Sequence, residues 1–346
     1  MTETPRFVGY ACRYTPLPLI HAAGFTPYRV LPMTEAEDQA GALLHDNMCA
    51  HVKRILDRAM AGDLPALAGM VIVNSCDAMR RLAGAWRLLR PDDRLAVIEL
   101  PPGGEAGDVA YLAGEIERLR DELAAWSGRP VDDAAIHASA KVYRRLVERL
   151  ESAATSLDRV RVQELTNRAV TRPPDEVLAE LDRLDPRPPP AAPAGSAVPV
   201  LLIGNVLPEP AALALIETCG ARIVADDLCT GAWQLAAFAL AGDGVAAGMA
   251  CALLTSPPCA RSLVAGAPGR LAELVVERAR ECGARAVIAH VLKFCDPYLV
   301  RMPALNEALR AEGLPLLLLE GDCTLRAIGQ QRTRIEAFVE MLEAQP

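Results

Sequence analysis

Two stretches of this chain share one pattern. Residues 70–80 read MVIVNSCDAMR and residues 286–297 read AVIAHVLKFCDP. Each is an apolar, β-branched run that ends in Cys-Asp and passes into helical spacing. Such a run reads as a buried strand. Pro297 suits the first residue of a following helix and Asp296 its N-cap. Cys295 and Cys76 are then expected at the carboxyl ends of strands, facing helix N-termini. Open α/β sheets bind their ligands there, and free amides together with the helix dipole favour a thiolate. Two buried core cysteines are the plainer reading of either unit alone. The repetition argues for a shared purpose.

The echo extends to whole halves. After each Cys-Asp helix comes a strand with an acidic end, Glu99 in IELPPG and Glu320 in LLLLEGD. Helical periodicity is expected over 39–61, with a break near Asp46-Asn47 and Cys49 in or near its start. A strand over 70–74, a helix over 77–89 and a strand over 95–100 follow. Residues 105–184 carry no strand signal and predict helices at 105–126, 132–153, 158–169 and 175–184. The second half predicts strands at 198–203, 222–225, from 286, and at 315–320. Helices are expected at 209–219, from Ala232, and at 268–282, 298–312 and 328–343. Residues 242–256 are small and apolar. Crossover helices between strands imply parallel sheets. The expected fold is therefore α/β: two similar truncated doubly wound parallel-sheet domains facing a cleft, with a helical insert. The division is an N-terminal α/β domain (1–104), a helical segment (105–184), a Pro-rich linker (185–199) and a C-terminal α/β domain (200–346).

Charge excludes some functions. The net charge is −8, the pI is about 5.3 and aromatic residues make up 4% of the chain. That balance argues against a nucleic-acid groove or attraction to an anionic membrane. No signal pattern opens the chain and no run of about 18 apolar residues spans a membrane, so the expected location is the cytoplasm. Ten cysteines are many for such a place. With no C-x-x-C, they read as free buried thiols or as iron–sulfur ligands gathered from distant points.

Other motifs carry less. There is no G-x-x-x-x-G-K-[ST] phosphate loop, no H-E-x-x-H and no G-x-S-x-G. Gly242-Asp243-Gly244 with Gly248 follows no strand and is not a dinucleotide loop. His290 lies mid-strand and reads as a packed core residue. Asp226-Asp227 reads first as a loop N-cap and second as a base or metal ligand. Arg332 and Arg334 open the last helix, where two cations oppose its dipole. They read either as an Arg332–Glu336 pair at i,i+4 or as a site for a phosphate, a carboxylate or an acidic partner.

Six stretches, in order, carry a resemblance: CRYTPLPLIHAAGFTPYRVLP, NSCDAMRRL, DDLCTGAW, PPCAR, LKFCDPYLVRMPAL and GQQRTRIEAFVEML. Together they resemble the 2-hydroxyacyl-CoA dehydratase / benzoyl-CoA reductase family over nearly the whole chain. The resemblance implies two truncated α/β domains and a 4Fe-4S cluster held by three cysteines of one subunit. Residue by residue these are Cys49, Cys76 and Cys295. Three ligands leave one iron open to water or substrate. It further implies a CoA-thioester substrate, a homologous subunit in a homo- or heterodimer, and a separate ATP-hydrolysing iron–sulfur activator. That activator injects one low-potential electron, the thioester becomes a ketyl radical anion, and hydroxide leaves or an aromatic ring is reduced. Relatives usually carry Pro-x-Glu-Leu before Ala-Ala-Gly. This chain has Pro16-Leu17-Pro18-Leu19, which implies an electron-relaying subunit or another substrate.

Two alternatives remain open. One is a double-cubane reductase of small molecules, with Cys229, Cys259 and Cys251 as extra ligands. The other is a cluster-free structural partner subunit whose cysteines are simply buried. The leading reading expects Cys49, Cys76 and Cys295 to converge between the halves. Cys219 and Cys282, each before a Gly, should stay apart as packed helix C-caps.

Overall fold

The computed structural model describes residues 5–33, 35, 37–102, 106–184, 197–232, 234, 235, 238, 240, 244–256, 259–262, 269–323 and 328–344. The elements run in the order β1 (Phe7–Tyr10), α1 (Leu17–Ala22), β2 (Thr26–Arg29), a 3-10 turn (Ala40–Ala42), α2 (Ala50–Met60), β3 (Leu67–Asn74), α3 (Asp77–Leu89) and β4 (Leu95–Glu99). Four helices follow: α4 (Ala106–Ser127), α5 (Asp133–Ala154), α6 (Arg159–Ala169) and α7 (Pro174–Asp182). The second half holds β5 (Val198–Gly204), α8 (Pro210–Thr218), β6 (Ala221–Leu228), α9 (Val245–Thr255), α10 (Arg270–Glu281) and β7 (Ala286–Leu292). It closes with α11 (Asp296–Leu299), α12 (Met302–Ala311), β8 (Leu316–Gly321) and α13 (Ile328–Glu343).

There are two four-stranded sheets, ordered β2-β1-β3-β4 and β6-β5-β7-β8, and every pairing in them is parallel. Counted within each half, both orders are 2-1-3-4. The two halves are thus one topology used twice, in keeping with the echo in the sequence.

Period-two alternation sends each strand's side chains to two cores. In β3, Val71 and Val73 face a core shared with α4–α7 and α9, while Met70 and Ile72 face α2 and α3. In β7, Ala286 and Ile288 pack toward α8 and α13, and Val287, Ala289 and Val291 toward α10 and α12. Both faces of each sheet are covered, which is why all seven residues of β7 are buried.

Some expectations differ from the structure. β1 has no counterpart among the expected strands: four residues around Gly9 are too short to show a pattern. Gly9 packs directly under the Met70 and Leu67 side chains, where a Cβ would meet the Met70 sulfur at 2.7 Å. The periodicity over 39–61 resolves into the 3-10 turn and α2, broken around Asp46-Asn47. The 298–312 helix is two helices, because Pro303 lacks an N–H and α12 starts afresh at Met302. Cys295, not Asp296, is the N-cap of α11. The small, apolar residues of 242–256 yield α9. The middle of the linker, 185–196, and the Gly242-Asp243 motif lie outside the described residues.

Candidate functional site

In a 2-1-3-4 sheet the connections diverge between the first and third strands in sequence, and that switch point opens a crevice at the strands' carboxyl ends. Cys12 and Cys76 stand beyond β1 and β3. Asn205 and Cys295 stand beyond β5 and β7. Cys229 follows β6, and Cys323 follows β8 by two residues. The fold therefore delivers thiols to these edges without any local motif.

The three expected ligands have one local setting. Cys49, Cys76 and Cys295 are the N-caps of α2, α3 and α11, and none makes a full capping hydrogen bond through its sulfur. First-turn amides still face the sulfurs: Val52 and His51 for Cys49, Met79 and Ala78 for Cys76, Tyr298 for Cys295. Burial outweighs them. It pushes the Cys76 thiol up to about 11 and the Cys295 thiol up to about 12. Cys49 is raised as well, first by burial.

The rest of the rise comes from mutual repulsion. Cys76 feels Cys49 and Cys12, while Cys295 feels Cys49 and Cys76. Cys49 in turn feels Asp296, and Cys323 feels Cys49. Cys49 and Cys76 of the first half and Cys295 of the second thus lie within reach of one another's charge. An apolar floor of Val206, Leu292 and Cys323, with Ala50 and Cys295 packed on it, joins the halves there.

Among the described residues no three His, Cys, Asp or Glu side chains are gathered tightly enough for a single metal ion. A four-iron cube asks for wider spacing, roughly 6–7 Å between ligand sulfurs. The donor chemistry fits such a group. One buried and two half-buried thiols repel one another as thiolates, and a cationic cluster would both displace their protons and remove that repulsion.

A second thiol set stands beside the first. Burial, and then the charge of Cys229, raises both Cys12 and Cys259, the latter to about 12. Cys12 donates to Ser75 Oγ at 3.4 Å. The Cys229 sulfur is held by Arg29, which is fully buried. Arg29 donates to Cys229 Sγ at 3.0 Å, to the Cys229 carbonyl at 2.9 Å and to Gln234 Oε1 at 2.8 Å. Close by, Tyr10 Oη and His51 Nδ1 are buried with no hydrogen-bond partner among the described residues. Burial and the Arg29 charge hold His51 down to about 3.

The other cysteines fall elsewhere. Cys219 and Cys282 are the C-caps of α8 and α10, each followed by a glycine of positive φ. Cys219 approaches the Arg332 carbonyl, and Cys282 the Ala279 carbonyl. Cys251 is exposed on α9. It lines a cavity of about 840 Å³ whose walls include Leu150, Leu235, Arg13, Arg159 and Arg278. Arg332 is exposed and pairs with Glu336 at 3.7 Å, and Arg334 is exposed and donates to the Leu318 carbonyl at 2.7 Å. His290 is buried, and burial holds it down to about 4, with the neighbouring Asp322 opposing the fall.

Arg29, Asn205, Tyr10 and Cys323 stand out only in the structure. Arg29 leaves one trace in the sequence, a lone cation in an otherwise apolar strand before Val30-Leu31.

Comparison with known proteins adds to this geometry. The family described as 2-hydroxyglutaryl-CoA dehydratase, D-component, matches residues 12–342. The (R)-phenyllactyl-CoA dehydratase beta subunit of Clostridium sporogenes is 23% identical, over 97% of this chain and 91% of that protein. The lactoyl-CoA dehydratase subunit beta of Anaerotignum propionicum is also 23% identical, with the same coverage. A benzoyl-CoA reductase subunit of Thauera aromatica is 28% identical over 41% of this chain and 39% of its own length. No helix among the described residues is long and apolar enough to cross a membrane.

Proposed function

Since the chain belongs to the 2-hydroxyglutaryl-CoA dehydratase D-component family, we propose that it is the iron–sulfur subunit of a 2-hydroxyacyl-CoA dehydratase or benzoyl-CoA reductase-type enzyme. The observation that carries this reading is the trio of N-cap cysteines, drawn from both halves and set in one another's field. Cys49, Cys76 and Cys295 would hold one 4Fe-4S cluster through their thiolates. When bound, the cluster supplies a single low-potential electron to a CoA thioester.

The chain's own residues prepare that site. Val206, Leu292 and Cys323 keep water from the Cys295 side. Arg29 ties the end of β2 to the end of β6, so the two halves hold their ligands at a fixed separation. The cavity of about 840 Å³ has the size of a small-molecule site. Its apolar wall suits an acyl or pantetheine chain, while its cations already have partners: Arg159 donates to the Ile223 and Val224 carbonyls, and Arg278 faces Asp227 and Glu281.

Two partners complete the proposal. One is a homologous subunit, in keeping with relatives named as beta subunits. Another is an ATP-hydrolysing activator, which the family resemblance implies and with which the lack of a phosphate-loop motif in the sequence is consistent. Arg332 and Arg334, both exposed, are assigned to an anionic partner surface or to CoA. Pro18 is buried in α1, where relatives usually carry Glu, and α1 has no acid in its first turn. That favours an electron-relaying role in a heterodimer.

The double-cubane alternative is less well supported. Arg29 occupies the Cys229 sulfur and Cys251 is exposed on α9. The test is binding of 2-hydroxyacyl-CoA esters to anaerobically purified protein, followed by calorimetry. Micromolar affinity that weakens in Arg13→Gln, with an unchanged thermal midpoint, supports the reading. No affinity for any CoA ester, either alone or with the homologous subunit, contradicts it.

A further inference from the structure

Asn205 is the first residue beyond β5, and its backbone is fixed on both sides. Its N–H donates to the His290 carbonyl at 3.2 Å, and its carbonyl accepts from Cys229 N at 2.8 Å. The side chain is buried, with Asn205 only 8% exposed. Oδ1 accepts from the Leu292 backbone N–H at 3.0 Å. A backbone amide can only donate, so the oxygen must face Leu292 and the amide nitrogen must face the other way. Nδ2 lies 2.8 Å from Cys295 Sγ. The orientation of this amide is thus set by chemistry, and the Asn205 side chain is a donor to the Cys295 sulfur.

This hydrogen bond singles out one ligand. Among the described residues, neither Cys49 nor Cys76 takes a side-chain hydrogen bond; only backbone amides face their sulfurs. Cys295 has the amide of Tyr298 and that of Asn205. The surroundings hold the donor in place. Tyr298 Oη donates to the Gly204 carbonyl at 2.9 Å, tying α11 to the end of β5. Gly204, at φ 146°, lies so close to β7 that a Cβ would meet the His290 carbonyl oxygen at 1.9 Å. A tight strand pair therefore carries both the donor and the sulfur.

We infer that Asn205 is a positioning residue that raises the reduction potential of the group held by Cys295, by donating a hydrogen bond to that sulfur. The inference rests on the reading of Cys295 as a cluster ligand. Reduction adds negative charge to a cluster and its thiolates. An N–H aimed at a thiolate then stabilises the reduced state more than the oxidised one. Nothing is transferred to or from Asn205 itself; its amide keeps its protons throughout.

Two variants separate charge from hydrogen bonding. Asn205→Asp keeps an acceptor for Leu292 N–H and turns a carboxylate oxygen to the sulfur. Asn205→Leu removes the polar group without adding charge. In anaerobic redox titrations both should lower the one-electron reduction equilibrium by about tenfold, which is 59 mV. Iron content should be unchanged. A third measurement needs no variant to fold: with 15N-asparagine in the wild type, pulsed EPR of the reduced cluster should show an amide 15N coupling. That coupling should vanish in Asn205→Asp. If the variants lose the cluster, the wild-type coupling decides alone. An intact cluster with unchanged potential in Asn205→Leu, or no 15N coupling in the wild type, overturns the inference while leaving the cluster reading intact. A wild type with no iron–sulfur absorption overturns the cluster reading, and this inference with it.

Discussion

Replacing Arg29 with Met tests whether a buried cation fastens the two halves together. The methionine keeps most of the aliphatic stem and removes the guanidinium. Three bonds are lost: to the Cys229 carbonyl, to the Cys229 sulfur and to Gln234 Oε1. Two buried oxygen acceptors are left without this donor, and each such loss costs about 1–3 kcal/mol. Removing a buried charge returns part of that, because desolvating a cation is itself unfavourable. The expected net loss is about 3 kcal/mol, and about 1–2 kcal/mol of it should be coupled to Gln234. The assay is urea unfolding of the iron-free protein followed by tryptophan fluorescence, with Arg29→Met, Gln234→Leu and the double variant. The midpoint should fall with an unchanged slope. A loss under about 1 kcal/mol with no coupling to Gln234 would refute the reasoning, since the guanidinium would then be dispensable to the closed arrangement.

Two further outcomes follow from particular contacts. Gly204→Ala should destabilise the protein by more than about 3 kcal/mol, because its Cβ would strike backbone rather than a movable side chain; a thermal midpoint near that of the wild type would be the contrary result. Asp227 has a carboxyl raised from 3.8 to about 7, first by burial, with Arg278 opposing the rise and Asp226 adding to it. An acid raised in the fold binds its proton more tightly folded than unfolded, so its contribution to stability is present at low pH and is lost as pH rises from about 4 through 7. At 1.36 kcal/mol per pH unit the gap is worth about 4 kcal/mol at most. Asp227→Asn should therefore gain stability on the wild type as pH rises from 5 to 8, measured as the difference in thermal midpoints, and a flat difference would count against it.

Much of this fold is legible in the sequence because its strands are buried on both faces. The runs at 70–74 and 286–292 are unbroken and β-branched, and the Pro and Gly residues around them mark their ends. The helices of 105–184 are long, so their 3.6-residue spacing is repeated enough to locate them within a residue or two. β1 and the 3-10 turn are too short for any period to show. The site is legible only in part. Cys76 and Cys295 announce themselves through a repeated phrase, whereas Arg29 and Asn205 act on sulfurs about 200 and 90 residues away. Contacts of that range depend on how two sheets face each other, which no local pattern encodes. The cap of α11 shows the limit on a smaller scale. Asp296 is the better N-cap by propensity, yet the turn from β7, with Phe294 at φ 61°, gives that place to Cys295.

The central claim is that Cys49, Cys76 and Cys295 share one cluster. Iron and sulfide analysis of the anaerobically purified chain tests it most directly, with Ser placed singly at each of the three and Ala placed singly at Cys229 and Cys259. About four irons and four sulfides per chain are expected, lost in each Ser variant and kept in both Ala variants. About eight irons that fall in the Cys229 or Cys259 variant, or a colourless wild type without iron, would contradict it.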